Sequence, residues 1–185
     1  MAFNTNAQGM SERELTKNRY RSSRANLLLL VVITAVNVFF AATASDTYIL
    51  FTATIPHYLA LEGAFLTGKF PAEYYEPGME FFPDTVLYVM VGAAVIMILA
   101  YLLCYLCSGK GRYGWMIAAL VFFLIDTVAM FLLYGIAIDM IMDIVFHVYI
   151  IGILISGIRL GIKMKKLPVE PIYPTAPASD SQTDI

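Results

Sequence analysis

Three ionisable residues stand at steps of four toward the end of the sequence: Asp139, Asp143 and His147. On an α-helix that spacing puts them on one face, about 6 Å apart along the axis. Asp126 lies in the apolar run before them and Asn37 in the first apolar run, with His57 and Glu62 in between. Such a set supports three chemistries. A divalent metal would take Asp143 and His147 from one helical face and Asp126, His57 or Glu62 from elsewhere. Acid–base catalysis would divide its work between Asp126 and Asp143, held in different environments beside His147. A proton or ion path would step along His147, Asp143 and Asp139.

A plainer reading is that these groups hydrogen-bond helices to one another, at about 0.6 kcal/mol per bond. The sequence favours it. There is no H-E-x-x-H pair, no nucleophile elbow and no phosphate-binding glycine loop, and the chain has two histidines in all. No cofactor is expected. If Asp126 serves only to join helices, Asp126→Asn is expected to keep most of the hydrogen bonding, because the amide has the same shape.

The elements that must position these residues are set by composition. Of 185 residues, 59% are apolar and 14% charged, against about 25% charged in a soluble domain, and mean hydropathy is +0.73. A disordered chain, a nucleic-acid binder and an ordinary water-soluble enzyme are excluded. Four runs, 25–44, 85–107, 115–136 and 140–162, have the roughly 20 apolar residues that cross about 30 Å of hydrocarbon. They lack the alternation of barrel strands, so they must be helices. The stretch 49–67 holds Pro56, His57, Glu62, Gly63 and three threonines and makes a poor continuous span. The expected fold is an all-α membrane protein of four transmembrane helices with a membrane-associated extracytoplasmic helical hairpin over 45–84.

Orientation is decided by Lys and Arg, which stay on the cytoplasmic side of short loops. Four spans with both termini inside collect eleven of the twelve basic residues on the inner side; five spans collect six. The chain therefore divides into a basic cytoplasmic segment (1–24), one membrane domain (25–166) and a disordered Pro-rich acidic cytoplasmic tail (167–185). In the tail, Pro168, Pro171, Pro174 and Pro177 recur at the polyproline II step. Ser11 and Glu14 have the spacing of a helix start. The basic helix beginning there reads as a topology signal, with docking on anionic lipid as its functional alternative. Ala42-Thr43-Ala44 before Ser45 imitates a secretion cleavage site, but the basic leader is too long for one.

Helix arithmetic places Asn37, Asp126 and His147 at nearly one depth, about 16–18 Å above the inner boundary. Polar groups at one level in hydrocarbon should face each other, with His57 and Glu62 as a lid. Cys104 and Cys107 read as two small buried residues at the inner end. Gly152/Ser156 and Gly157/Gly161 are small-xxx-small pairs that admit a neighbouring helix, within the monomer or in a homodimer.

Ser23-Arg24-Ala25-Asn26-Leu27 ahead of the first span, Asp46-Thr47-Tyr48, the Ile55-Pro56 break and the loop Pro71-Ala72-Glu73-Tyr74-Tyr75 resemble small uncharacterised multi-pass integral membrane proteins of Gram-positive bacteria. The resemblance implies a location in the plasma membrane and no catalytic residue. The functional expectation is a binding, assembly or transport-accessory component. The alternatives are an outward-facing intramembrane enzyme, a metal- or carboxylate-dependent hydrolase or transferase, and a proton- or ion-coupled transporter. Reporter fusions at residue 185 and within 108–114 should score cytoplasmic, and one within 73–80 extracytoplasmic; an outside score at residue 185 would restore a fifth crossing.

Overall fold

The computed structural model of the chain describes residues 11–135 and 140–168, and among these every regular element is helical. Five helices succeed one another: α1 (Glu12–Ala42), α2 (Thr54–Leu66), α3 (Thr85–Cys107), α4 (Gly114–Tyr134) and α5 (Ile141–Lys166). All but α2 are long and apolar enough to cross a membrane. Their outward faces are apolar as well: Leu132 is 80% exposed, Ile96 69% and Val148 66%. Water would penalise such faces at about 25 cal/mol per Å². Hydrocarbon does not, and the fold is that of a multi-pass membrane protein.

Helix α1 starts where Ser11 accepts the Glu14 N–H on its hydroxyl at 3.2 Å, and Glu12 and Glu14 favour the positive end of the helix. It then runs unbroken for 31 residues, so the basic segment and the first span form one rod. Helix α3 has the expected bounds. Helix α4 stops at Tyr134, short of the expected 136, because Gly135 adopts φ +71°. Asp139 and the tail prolines Pro171, Pro174 and Pro177 lie outside the described residues.

In place of two hairpin helices, 45–84 contains α2 and a single 3-10 turn, Ala72–Tyr74. Helix-breaking residues account for the difference: Gly68 and Gly78 take positive φ, and Pro71, Pro77 and Pro83 interrupt the chain between α2 and α3. Aromatic contacts hold this loop instead. Tyr75 lies 5.1 Å from Phe65 and 4.7 Å from Phe81, ring to ring, and its hydroxyl accepts the Phe70 N–H at 2.9 Å. Pro56 does not break a helix. It sits in the first turn of α2, where a missing N–H costs nothing.

One end of the bundle gathers the start of α1, the end of α5 and the α3–α4 turn. Lys163 pairs with Glu12 at 2.8 Å, Arg13 donates to the Leu167 carbonyl at 2.8 Å, and the Tyr20 hydroxyl donates to the Ser108 carbonyl at 2.7 Å. Lys69 is the one basic residue at the opposite end.

The small residues of α5 have separate roles. Gly157 packs on Met116 and Ser23, and a Cβ at Gly161 would stand 2.6 Å from the Tyr113 Cβ. Gly152 has nothing within 4 Å of such a Cβ, and Ser156 is exposed. Gly161→Leu should therefore destabilise the folded protein by about 1–3 kcal/mol through overpacking, read as a lower unfolding midpoint in detergent. Gly152→Leu should leave that midpoint unchanged or raise it. Equal losses would contradict this packing.

Candidate functional site

Between α1 and α2 the chain is neither helix nor strand, yet it runs against the polar positions of the long helices. Non-helical backbone among apolar helices leaves N–H and C=O groups that cost several kcal/mol each if unpaired. Three side chains provide the partners. Asn37 of α1 donates its amide to the Ile49 carbonyl and accepts the Ile49 N–H at 2.9 Å. One turn earlier on α1, the Thr34 hydroxyl accepts the Ala53 N–H at 3.0 Å. Asp126 of α4 accepts the Thr54 N–H on Oδ2 and the Ile55 N–H on Oδ1, each at 2.8 Å.

The next residue, Pro56, has no N–H, so the free donors in the first turn of α2 are all accounted for. Ala53, at the cap position, contributes no side-chain bond; Asp126 caps α2 from a different helix. An anion there also meets the positive end of the helix dipole.

His147 supports the carboxylate from α5. Its Nδ1 faces the Asp143 carbonyl oxygen at 2.8 Å. A carbonyl only accepts, so Nδ1 carries the hydrogen. Its Nε2 lies 3.3 Å from Asp126 Oδ2 and 3.5 Å from the Thr54 hydroxyl. The ring stacks on Phe123 at 4.9 Å and meets the edge of Phe146 at 5.8 Å. Asp126 and His147 are thus joined as the depth argument expects, and both are fully buried. Asn37 belongs to the same seam but grips Ile49 rather than either of them.

Asp143 turns away from the seam, and its half-buried carboxylate accepts the Tyr48 hydroxyl at 3.2 Å. Asp143 and His147 therefore do not converge on one point despite their spacing. Among the described residues no three His, Cys, Asp or Glu side chains are grouped as metal ligands would be. Cys104 is buried and Cys107 half-buried, both as free thiols.

Beside the seam lies a cleft of ≈ 260 Å³ lined by Tyr48, Thr52, Thr54, His57, Tyr134 and Asp143, with Met130 and Met140 at its wall. His57 stacks on Tyr48 at 5.0 Å. Its Nδ1 is buried and has no hydrogen-bond partner among the described residues. Burial holds the His57 imidazole below its ordinary range, against the upward pull of Asp143 and Asp126. Burial, reinforced by Asp143, pushes the Tyr48 phenol up. Glu62 sits on α2 outside the cleft lining. Thr34, Tyr48 and Tyr101 are additions that the sequence does not single out. Thr34 is detectable as a polar residue three positions before Asn37 on one helix face. Tyr48 reads from sequence only as an interfacial aromatic. Tyr101 brings a buried hydroxyl, without a hydrogen-bond partner among the described residues, into the field of Asp126.

Fold and site together define a helical multi-pass membrane protein with a short helix seated on a buried carboxylate. Compared with known protein families, with characterised proteins and with solved structures, the chain finds no match.

The two backbone bonds of Asp126 overturn the expectation that an amide would serve at this position. Asparagine offers one acceptor oxygen, and its NH₂ would face a backbone N–H. Asp126→Asn should cost about 1–3 kcal/mol of stability, and a cysteine at Thr52 should label faster with a thiol reagent in that background. An unchanged unfolding midpoint together with unchanged labelling would show that Asp126 does not hold α2.

Proposed function

We propose that the chain is a binding component of the cytoplasmic membrane, with both termini in the cytoplasm, whose cleft receives a small positively charged ligand from the extracytoplasmic side. In this reading 43–66 is a re-entrant insertion that enters as extended chain and returns as α2. The gathering of eleven basic residues at the end where α1 starts and α5 ends supports the orientation.

The observation that carries the ligand class is the cleft lining. Among the described residues Asp143 is its one acidic residue, and it stands among the rings of Tyr48, His57 and Tyr134. A carboxylate framed by aromatic faces attracts an ammonium ion by charge and by cation–π contact. At ≈ 260 Å³ the cleft suits a ligand of a few heavy atoms, below the roughly 300–1,000 Å³ of drug-sized pockets. Binding is favoured over catalysis because both Asp126 oxygens are committed to backbone and His147 is committed to Asp126. A second helix approaching the open Gly152/Ser156 face would make a homodimer, which the exposure of that face favours as an accompanying assembly role.

Thermal unfolding of the purified protein with tetramethylammonium and with a primary alkylamine tests the proposal. At least one cation should raise the midpoint saturably, and Asp143→Asn should remove the shift while leaving the ligand-free midpoint close to wild type. An equal shift in Asp143→Asn, or none with either ion, would sink it.

A further inference from the structure

At the end that gathers the start of α1 and the end of α5, six basic side chains from three elements surround a cavity of ≈ 570 Å³: Arg13, Lys17, Arg21 and Arg24 of α1, Lys110 of the α3–α4 turn and Lys165 of α5. Among the described residues no acidic side chain lines it. Membrane topology requires basic residues on one side of the bilayer. It does not require them to converge on one space.

Three of the six are held in place by uncharged groups, which orient a cation without neutralising it. Arg24 donates Nε to the Ser108 hydroxyl and Nη2 to the Tyr105 carbonyl, both at 2.9 Å, and lies 4.9 Å above the Tyr105 ring. Ser108 is itself fully buried. Arg13 is tied to the Leu167 carbonyl, and Lys165 lies 4.9 Å over the Tyr113 ring. Of the two acids in the first turn of α1, Glu12 pairs with Lys163, and neither Glu12 nor Glu14 lines the cavity. Lys110 takes φ +55°, left-handed for a residue with a Cβ, and Gly111 comes next at φ +74°, pressed against Met164. That turn geometry is what brings Lys110 to the cavity, and strained backbone of this kind persists where surrounding structure enforces it.

Like charges gathered without counter-charge are a receptor for a multivalent anion. A guanidinium fork flanked by ammonium groups matches the oxygens of a phosphate in particular. We infer that this cavity binds a phosphate-bearing anion at the cytoplasmic end of the bundle. Two sources present that chemistry at this level: the headgroup of an anionic phospholipid and a soluble phosphate compound. The inference does not depend on the ligand of the opposite cleft.

Binding should be measured on the full chain at physiological salt in two arms. Inorganic pyrophosphate is titrated against protein in neutral detergent, and retained lipid is measured by native mass spectrometry from nanodiscs that mix phosphatidic acid with phosphatidylcholine. Saturable binding in the first arm assigns a soluble ligand, and selective retention of phosphatidic acid assigns a headgroup; no binding in either arm overturns the inference. Lys17→Gln combined with Lys110→Gln, both outside the bonds that hold Arg24, should weaken binding by about tenfold or more while the unfolding midpoint stays put. Lys163→Gln, at the same end but outside the cavity, should leave binding intact. Equal weakening by Lys163→Gln would mean diffuse surface charge and reject a defined site.

Discussion

A backbone N–H left unpaired in hydrocarbon is among the most expensive defects a membrane protein can carry, and the architecture around α2 answers that constraint. A helix of 13 residues is marginal by itself in water. Here its exposed donors meet Thr34 and Asp126, while Gly63 lets it approach α3 until a Cβ would touch Leu87 and Met90. The cap and the packing depend on each other. Without the carboxylate the helix would begin with bare donors inside the bundle, and without α2 the carboxylate would be a buried charge with only His147 for company. Everything that α2 positions, the His57 ring and the cleft included, rests on that exchange.

The energetics explain why the most conspicuous residue is the least available. A carboxylate at the centre of a span costs about 2.5–3.5 kcal/mol on insertion scales. Two hydrogen bonds to a charged acceptor contribute about 1.5–3 kcal/mol each, and their sum offsets the insertion cost. No acceptor capacity is left pointing at open space. Asp143 is cheaper to keep because it is half-buried at the rim, and the Tyr48 hydroxyl that it accepts is a neutral partner, which does not compensate its charge. The rim of the bundle therefore carries the carboxylate that is open to a cleft, and the deep polar level carries the one bonded to backbone.

The four long apolar helices, the Ser11 cap and the end shared by the start of α1 and the end of α5 are legible in the sequence, because hydropathy and charge placement report directly on which surface meets which solvent. The meeting of Asp126 with His147 is legible for the same reason, since depth along a helix is simple arithmetic. What α2 does is not. Side-chain periodicity shows which face of a helix is buried, but it is silent on where the backbone of a loop finds its partners, and those partners are Thr34, Asn37 and Asp126. Pro56 illustrates the difficulty: a proline inside an apolar stretch signals an interruption, whereas its position in the first helical turn makes it a beginning. Asp143 and His147 illustrate the converse. They share a face by spacing, yet the histidine is drawn inward to Asp126 and the aspartate outward to Tyr48.

The two ends of the bundle are electrostatic opposites built on the same pair of helices. α1 carries Arg13 to Arg24 at one end and Thr34 and Asn37 toward the other, while α5 carries Lys165 at the first and Asp143 and His147 at the second. A relative slide of α1 along α5 would couple the ends. The contacts between those helices oppose it: a Cβ at Gly157 would stand 3.1 Å from the Ser23 Cβ, and one at Gly161 3.3 Å from the Tyr20 ring. Close-packed small residues of this kind fix register because any translation drives a side chain into backbone. The interlock lies at the level of the basic cavity, whose lining includes Tyr20, and it holds α1 and α5 in one register.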